Sequence, residues 1–226
     1  MIDLLHDVSA VTESTVLVVG ALFPIVNPLG SAAIFINMVG DLDSKVHRAL
    51  SQKIATYSFF LLLCSLLWGV KILTFFGISI YAVQIGGGLV VAATGWSLLA
   101  QGSSGVNKKT TSEENILEHA FYPYTLPITV GPGSISVAIT LGAHLPAELH
   151  TDSIFSPKVL IAALVGIALV CLIVYICYRY GRAAERLLGS AGTSVVMRLS
   201  SFILMCIGVQ IVASGIKAYL EAIHSF

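Results

Sequence analysis

The chain alternates between long apolar stretches and short polar ones. Six apolar stretches are long enough to cross a bilayer, which takes about 20 helical residues each. They cover residues 14–39, 54–76, 78–100, 120–143, 159–178 and 199–219. None shows the alternation of polar and apolar residues that is typical of a transmembrane β-strand. The pattern therefore predicts an all-α membrane protein with one domain and six transmembrane helices.

Composition supports this prediction. Of the 226 residues, 56% are hydrophobic and 11% are charged, and the mean hydropathy is +0.91, whereas soluble domains carry about 25% charged residues. The first residues are acidic, which does not fit a cleavable signal peptide. The polar segments are too short for a catalytic domain, and no phosphate-binding loop, nucleophile elbow or metal motif occurs. We therefore expect no enzymatic activity, no cofactor, no bound metal and no nucleic-acid partner.

Basic residues are distributed unevenly between the two sides of a six-helix arrangement. Nine Lys and Arg residues lie on one side, and only Lys71, Lys158 and Lys217 lie on the other. Because positive residues accumulate on the cytoplasmic side, both termini are expected outside the cytoplasm. If helices 1 and 4 were re-entrant hairpins, the count would be seven against five. The charge distribution thus favours six crossings.

Two of the six stretches contain residues that interrupt a helix. The first contains LFPIVNPLGS at 22–31, and the fourth contains LPITVGPGS at 126–134. Proline lacks an N–H and clashes with the preceding turn, and glycine permits backbone angles that other residues resist. We predict that helices 1 and 4 stop mid-membrane and restart at about 29–31 and 132–134, with Ser31 and Ser134 capping the restarted helices.

The two interruptions are related in sequence. Residues 23–42 and 126–145 align at a constant offset and match at Pro24/Pro127, Ile25/Ile128, Gly30/Gly133, Ser31/Ser134, Ile36/Ile139 and Leu42/Leu145. A weaker similarity relates Gly95 in helix 3 to Gly208 in helix 6. The chain therefore reads as two three-helix repeats, at about 14–100 and 119–220, joined by a polar linker at 101–118. Three is an odd number, so the second repeat is inverted relative to the first.

Broken helices at corresponding positions of inverted repeats are the best sequence pointer to the midplane binding site of a transporter. One such break is usually only a kink, but two related breaks favour a functional centre. The predicted substrate-binding residues are Asn27, Pro28, Gly30, Ser31, Thr129, Gly131, Pro132, Gly133, Ser134 and Gln210. Gln210 is included because it lies deepest in helix 6. Further polar residues that could line the path, each of which is more often an interhelical hydrogen bond, are Asn37, Gln84, Thr94, Thr140 and Ser214.

No charged residue lies in the middle of a predicted helix. A carboxylate proton relay or a cation site would normally leave a charge there. His119, at the start of helix 4, is the weak candidate for a proton-linked group. Restarted helices present N–H groups to a carboxylate, and the carbonyls that end the preceding half-helices attract an ammonium group. The expected solute is therefore small and neutral or zwitterionic, as an α-amino acid is.

Several of these stretches resemble the MarC family of bacterial integral membrane proteins. The resemblance covers nearly the whole chain and includes NPLGS, GPGS, FGISIYAVQIGGGLVVAATGW and MRLSSFILMCIGVQIVASGI. It implies a place in the bacterial inner membrane and a relation both to small neutral amino acid transporters and to LysE-type exporters. It also implies a functional centre at Asn27, Pro28, Gly30, Thr129, Gly131, Pro132 and Gly133.

Together these observations predict a secondary transporter of a small neutral amino acid or similar metabolite that works by alternating access. The expected partners are the solute, a proton or sodium ion as coupling ion, and membrane lipid. The sequence leaves open whether the protein forms a homo-oligomer. The alternatives are a passive channel with paired Asn-Pro breaks, as in aquaporins, an exporter of drugs or other metabolites, and a purely structural membrane protein. A redox relay would need a cysteine pair near the breaks, whereas we interpret the cysteines as packing residues: Cys64, Cys171, Cys177 and Cys206.

Overall fold

The structure, a computed structural model, describes residues 2–40, 42–101, 116–151 and 153–224, and these ranges contain helices and no β-strand. The helices are α1 (Ile2–Val26), α2 (Pro28–Val39), α3 (Ser44–Phe75), α4 (Ile80–Gln101), α5 (Pro132–Glu148) and a final run, Pro157–His224. This run is interrupted at Gly189, whose φ is 67°, and its apolar parts are α6 (Pro157–Ala183) and α7 (Ala191–Ile223). A short turn (Glu118–Ala120) and an irregular helical segment (Phe121–Thr129) precede α5. The predicted linker at 101–118 lies outside the described residues, except at its ends.

All six predicted apolar stretches fall on helices. The first is one interrupted run, Asp7–Ile36, made of α1 and most of α2. The fourth is a bent pair, Glu118–Thr129 and Pro132–Glu148, whose two parts meet at an angle of 72°. The other four stretches correspond to α3, α4, α6 and α7, each long and apolar enough to cross a membrane. The prediction of an all-α membrane protein with interrupted first and fourth helices is confirmed.

Contacts at the helix ends show that the first interrupted helix connects opposite ends of the bundle. At one end, Lys158 Nζ lies 2.6 Å from Asp7 Oδ1, which joins the start of α6 to the start of α1. At the other end, Arg179 Nη1 donates to the carbonyl of Ser44 over 3.4 Å, which joins the last turns of α6 to the start of α3. The chain therefore changes ends between α1 and α3, as a crossing helix does and a re-entrant hairpin does not.

The fourth interrupted segment also advances along its neighbour. Before the break, the ring of Phe121 packs edge-on against Tyr57 with centroids 5.9 Å apart. After α5, the ring of Phe155 lies 6.4 Å from that of Trp68, about three turns further along α3. The segment therefore does not return to the level at which it started.

Helix α6 lies at the centre of the bundle. One face carries apolar residues every three or four positions, and Val159, Ala163, Ile167 and Val174 on this face are fully buried. This spacing matches the helical repeat. Helix α1 approaches the same helix closely at Gly166, where a Cβ would lie 2.6 Å from the side chain of Val18.

Helices α4 and α7 approach each other along glycines. A Cβ at Gly88 would lie 2.8 Å from the carbonyl oxygen of Gly208, and a Cβ at Gly95 would lie 2.8 Å from that of Ser201. As residue number rises along α4 it falls along α7, so the two helices are antiparallel. Such close backbone approach is typical of small residues at helix interfaces in membranes.

The glycine run at 86–88 provides a direct test of this packing. We expect Gly88→Ala to lower the thermal unfolding midpoint in detergent, because its methyl group would meet backbone atoms of α7, and overpacking costs about 1–3 kcal/mol. Gly86→Ala is the matched control, since a Cβ there meets nothing within 4 Å. Equal midpoints for the two variants would show that α4 and α7 are not closely packed at this point.

Candidate functional site

A cavity of about 580 Å³ lies between the two helix breaks. Its walls are the end of α1, the first turns of α2 and α5, the residues before the second break, one side of α4, and Leu204 of α7. Seven of the ten predicted site residues line it: Asn27, Ser31, Thr129, Gly131, Pro132, Gly133 and Ser134. The volume falls within the range of about 300–1,000 Å³ that is usual for small-molecule sites.

The other three predicted residues do not line this cavity. Pro28 and Gly30 are buried at the first break, where a Cβ on Gly30 would lie 2.9 Å from Asn27 Cγ. Gln210 is exposed on α7. It follows Gly208, which faces α4, by two residues, and two residues turn a helix by about 200°. The structure therefore places Gln210 on the far side of α7, away from the breaks.

The first break is formed by a single residue, Asn27. Its backbone is left-handed, with φ 47° and ψ 62°, a conformation that asparagine tolerates better than most residues. Its side-chain oxygen accepts a hydrogen bond from the N–H of Gly30 (3.2 Å). Its carbonyl accepts both the N–H and the hydroxyl of Ser31, each at 2.9 Å. The prediction that Ser31 caps α2 was therefore wrong, because Asn27 is the cap.

The second break is wider. Val130 and Gly131 are both extended, with φ/ψ of −117°/94° and −87°/176°. The chain before them is already irregular because Tyr122 and Leu126 precede prolines and are extended, as the steric clash with a following proline ring favours. The second break thus contains two non-helical residues and the first contains one, and the second interrupted helix is also the more strongly bent.

Threonine hydroxyls add hydrogen bonds to carbonyls five residues earlier within this irregular segment. Thr125 Oγ1 donates to the carbonyl of Ala120 (2.8 Å), and Thr129 Oγ1 donates to that of Tyr124 (2.7 Å). The N–H of Val130 donates to the carbonyl of Thr125 over 2.8 Å. Inside a bilayer, backbone groups need such internal partners.

The start of α5, in contrast, carries no side-chain cap. Its N-cap residue is Gly131, which has no side chain to offer. Ser134, which we expected to cap this helix, is 2% exposed and lines the cavity. Its hydroxyl has no hydrogen-bond partner in the described part of the chain. The two breaks are therefore chemically different: the first is capped and the second is open.

Tyr178 of α6 links the two breaks and was not among the predicted site residues. Its hydroxyl lies 2.7 Å from Thr129 Oγ1. Because Thr129 donates its one hydroxyl hydrogen to Tyr124, Tyr178 is the donor in this bond. The same hydroxyl interacts with Ser31, and the ring stacks on Phe35 of α2 with centroids 4.5 Å apart. The sequence signal that pointed to this residue was a polar hydroxyl, that of Tyr178, near the end of a largely apolar helix.

Among the described residues that line the cavity, none is charged. Of the further polar candidates, Thr94 lines it, whereas Gln84, Thr140 and Ser214 do not, and the side chain of Asn37 lies outside the description. His119 is exposed. His47 is 4% exposed, and its Nε2 has no hydrogen-bond partner in the described part of the chain. The four cysteines, all within described helices, are unpaired, and none lines this cavity.

Removal of the Tyr178 hydroxyl tests the link between the breaks. We expect Tyr178→Phe to destabilise the protein by about 0.5–1.5 kcal/mol, the usual contribution of one hydrogen bond, while the ring still stacks on Phe35. The measurement is thermal unfolding in detergent. Tyr180→Phe, on the exposed side of the same helix, is the control. If both variants unfold at the same temperature, the hydroxyl does not hold the breaks together.

Substitutions at Asn27 separate its two roles at the first break. Asn27→Gly keeps the left-handed backbone and loses only the side-chain cap, so we expect a loss of a few tenths of a kcal/mol. Asn27→Ala loses the cap and must also adopt a left-handed backbone, which costs roughly 1–2 kcal/mol more. Unfolding midpoints measured in parallel would contradict this account if the alanine variant were as stable as the glycine variant.

Comparisons with known proteins agree with this architecture. The model of the MarC family of integral membrane proteins matches residues 12–220. The UPF0056 inner membrane protein MarC of Salmonella typhimurium is 30% identical over 210 residues, which cover 90% of this chain and 94% of that protein. The protein of the same name from an Escherichia coli O139:H28 strain is 32% identical over 214 residues with the same coverage. No solved structure matches the chain significantly. Since the family match extends over nearly the whole sequence, the chain belongs to the MarC family of integral membrane proteins.

Proposed function

We propose that this protein is a secondary transporter that moves a small neutral amino acid, or a similar zwitterionic metabolite, across the inner membrane by alternating access. The observation that carries the proposal is the cavity of about 580 Å³ between two broken helices. A membrane-embedded cavity of this kind suits the binding and release of a solute. In this proposal the protein is not an enzyme, and its partners are the solute, a coupling ion and lipid.

The chemistry of the cavity wall supports a solute without net charge. The described lining residues supply hydroxyls, amides and backbone groups and no charged side chain. Helix ends carry partial charges equivalent to about half an elementary charge, positive at the N-terminus and negative at the C-terminus. The start of α5 and the end of α1 both border the cavity, so a zwitterion could meet a partial charge of each sign there.

Helix packing supports two inverted repeats, which alternating access commonly uses. Helix α2 packs on α6 where Gly181 meets the side chain of Ile36, and α5 packs on α3 where Gly69 meets the side chain of Ile139, the residue aligned with Ile36. The repeat relates α1 and α2 to the segment before α5 and α5 itself, α3 to α6, and α4 to α7. Exchange of the related helices converts one of these contacts into the other. The interface of helices 3 and 6, which are α4 and α7, would then lie on the axis that relates the halves.

The contacts between α4 and α7 fit such an axis. Four glycine contacts form two pairs that are exchanged when the two helices are exchanged: Gly88 with Val212 and Gly208 with Ala92, and Gly95 with Met205 and Gly215 with Ile85. All four pairs obey one constant shift in numbering. This shift relates Gly88 to Gly208 and Gly95 to Gly215, instead of relating Gly95 to Gly208 as the sequence analysis did.

We further propose that both termini lie outside the cytoplasm. Arg179 and the start of α3 meet at one end of the bundle, and the basic residues near them indicate the cytoplasmic side. The partners Asp7 and Lys158 mark the opposite end. Labelling of single cysteines placed at residues 7 and 45 with an impermeant maleimide in intact cells would test this orientation, because only the first should react.

The coupling ion is proposed to be a proton or sodium. With His119 exposed, the buried histidine His47 is the better candidate for a proton-linked group. It packs against Phe35, with ring centroids 5.5 Å apart, and Phe35 in turn stacks on Tyr178. Burial and the nearby Arg182 and Arg179 disfavour protonation of His47, so a proton would bind there only in a conformation that relieves them, and its effect would reach the breaks through two ring contacts. In proteoliposomes, His47→Gln should remove stimulation by a pH gradient, whereas His119→Gln should keep it; stimulation that persists in both variants would exclude His47.

Transport itself is tested by reconstitution of the purified protein in liposomes. We expect saturable uptake of labelled glycine, alanine or serine that responds to a proton or sodium gradient. Thr94→Phe should reduce the initial rate about tenfold or more by filling the cavity, whereas Ala93→Phe, on the neighbouring exposed position of α4, should not. Linear flux that ignores gradients would indicate a channel instead. Uptake of none of these solutes would contradict the proposed substrate, and drugs and other metabolites would be tested next as exporter substrates.

A further inference from the structure

The two breaks differ in how much hydrogen-bonding capacity they leave for a ligand. At α2, the N–H groups of Gly30 and Ser31 are both bonded to Asn27, and Pro28 has no N–H. The remaining first-turn donor belongs to Leu29, which is 51% exposed and does not line the cavity. The first break therefore offers no free backbone N–H group to the cavity from these described residues.

At α5 the situation is reversed. The first backbone hydrogen bond of this helix runs from the N–H of Ile135 to the carbonyl of Gly131 over 3.1 Å. The N–H groups of Gly133 and Ser134 precede it and have no acceptor within the helix, and no side chain caps them. Both residues line the cavity.

The side chain of Ser134 is a second and independent indication of a ligand. It is 2% exposed, it lines the cavity, and its hydroxyl has no partner in the described part of the chain. Its counterpart at the first break, Ser31, donates its hydroxyl hydrogen to the carbonyl of Asn27. The hydroxyl hydrogen of Ser134 is therefore available to a ligand in the cavity without the loss of a bond inside the protein.

We propose that the start of α5 is a carboxylate subsite, in which the N–H groups of Gly133 and Ser134 and the hydroxyl of Ser134 bind the carboxylate of the solute. These three donors belong to two consecutive residues at the positive end of a 17-residue helix, a place that favours an anion. This subsite rests on the proposed transport function and deepens it, because it makes the carboxylate the recognised group and assigns it to the second break.

The close packing of Gly133 belongs to the same subsite. A Cβ at this position would be in contact with Val91 Cγ2 and would lie 3.5 Å from the carbonyl of Gly87. The absence of a side chain lets α4 cover one side of the first turn of α5. Bulky substitutions at Gly133 would therefore disturb the packing of α4, so Ser134 is the position at which the subsite is tested.

The test compares alanine with alaninamide, which keeps the ammonium group and replaces the carboxylate by an amide. Two measurements use the full-length protein: competition with labelled alanine uptake in proteoliposomes, and the shift of the thermal unfolding midpoint in detergent. In the wild type, alaninamide should be at least about tenfold weaker than alanine in both, since hydrogen bonds to charged groups are the stronger ones.

The variant Ser134→Ala should weaken alanine about tenfold and alaninamide much less. Thr140→Ala, two turns further along α5, should keep the wild-type ratio, because the Thr140 hydroxyl bonds only to the carbonyl of Ser136 in its own helix. An equal loss for both compounds in Ser134→Ala, or equal potency in the wild type, would overturn the subsite.

The two measurements also separate the subsite from transport. Uptake of alanine without preference for the carboxylate would keep the transporter and overturn the subsite. Stabilisation by alanine over alaninamide that Ser134→Ala removes, without uptake, would keep the subsite and overturn the transporter. The absence of both effects would overturn both proposals.

Discussion

The structure depends on one constraint, which is that a helix interrupted inside a bilayer must find partners for the backbone groups that the interruption frees. Each break solves this problem locally. Asn27 supplies its side-chain oxygen and its carbonyl to the first turn of α2. Before the second break, Thr125 and Thr129 add hydroxyl hydrogen bonds to the carbonyls of Ala120 and Tyr124. Of the described first-turn donors at the two breaks, those of Gly133 and Ser134 in α5 belong to residues that line the cavity and have no acceptor in the helix. The proposed carboxylate subsite follows from this distribution of satisfied and unsatisfied groups.

A second requirement is that the two breaks lie close enough to share one cavity, and glycine makes this possible. Backbones approach at Gly166 between α1 and α6, at Gly142 between α3 and α5, and along the α4–α7 interface. A side chain at any of these points would push the broken helices apart. In a membrane, where lipid tails are as apolar as the helix surface, such packing stabilises helix association more than the hydrophobic effect does. The small residues therefore shape the cavity as much as the polar residues that line it.

The sequence predicted the helices, both breaks and seven of the lining residues, because apolar length and the Pro–Gly pattern report directly on helix formation and interruption. It did not predict which residue caps each break. Ser31 and Ser134 occupy aligned positions, but both lie inside the first turn of their helices. Asn27 is the N-cap of α2, and Gly131, which has no side chain, is the N-cap of α5. Tyr178 was missed because its contacts join segments far apart in the chain. The depth of Gln210 along its helix could be estimated from sequence, but the direction of its side chain depends on which face of α7 meets α4.

The asymmetry of the two breaks suits a protein that changes conformation. At the first break, Asn27 at the end of α1 bonds to Gly30 and Ser31 in the first turn of α2, so a joint movement of α1 and α2 would keep these hydrogen bonds. The second is held to α6 through the hydroxyl of Tyr178, which donates one hydrogen and has two candidate acceptors, Thr129 and Ser31. One neutral hydrogen bond contributes about 1 kcal/mol, and a ligand shifts a conformational equilibrium only by its difference in affinity for the two states. In the proposed transporter, a contact of this size is one that the binding of a small solute would be able to switch. A network of charged groups at the same place would hold one conformation too firmly for that.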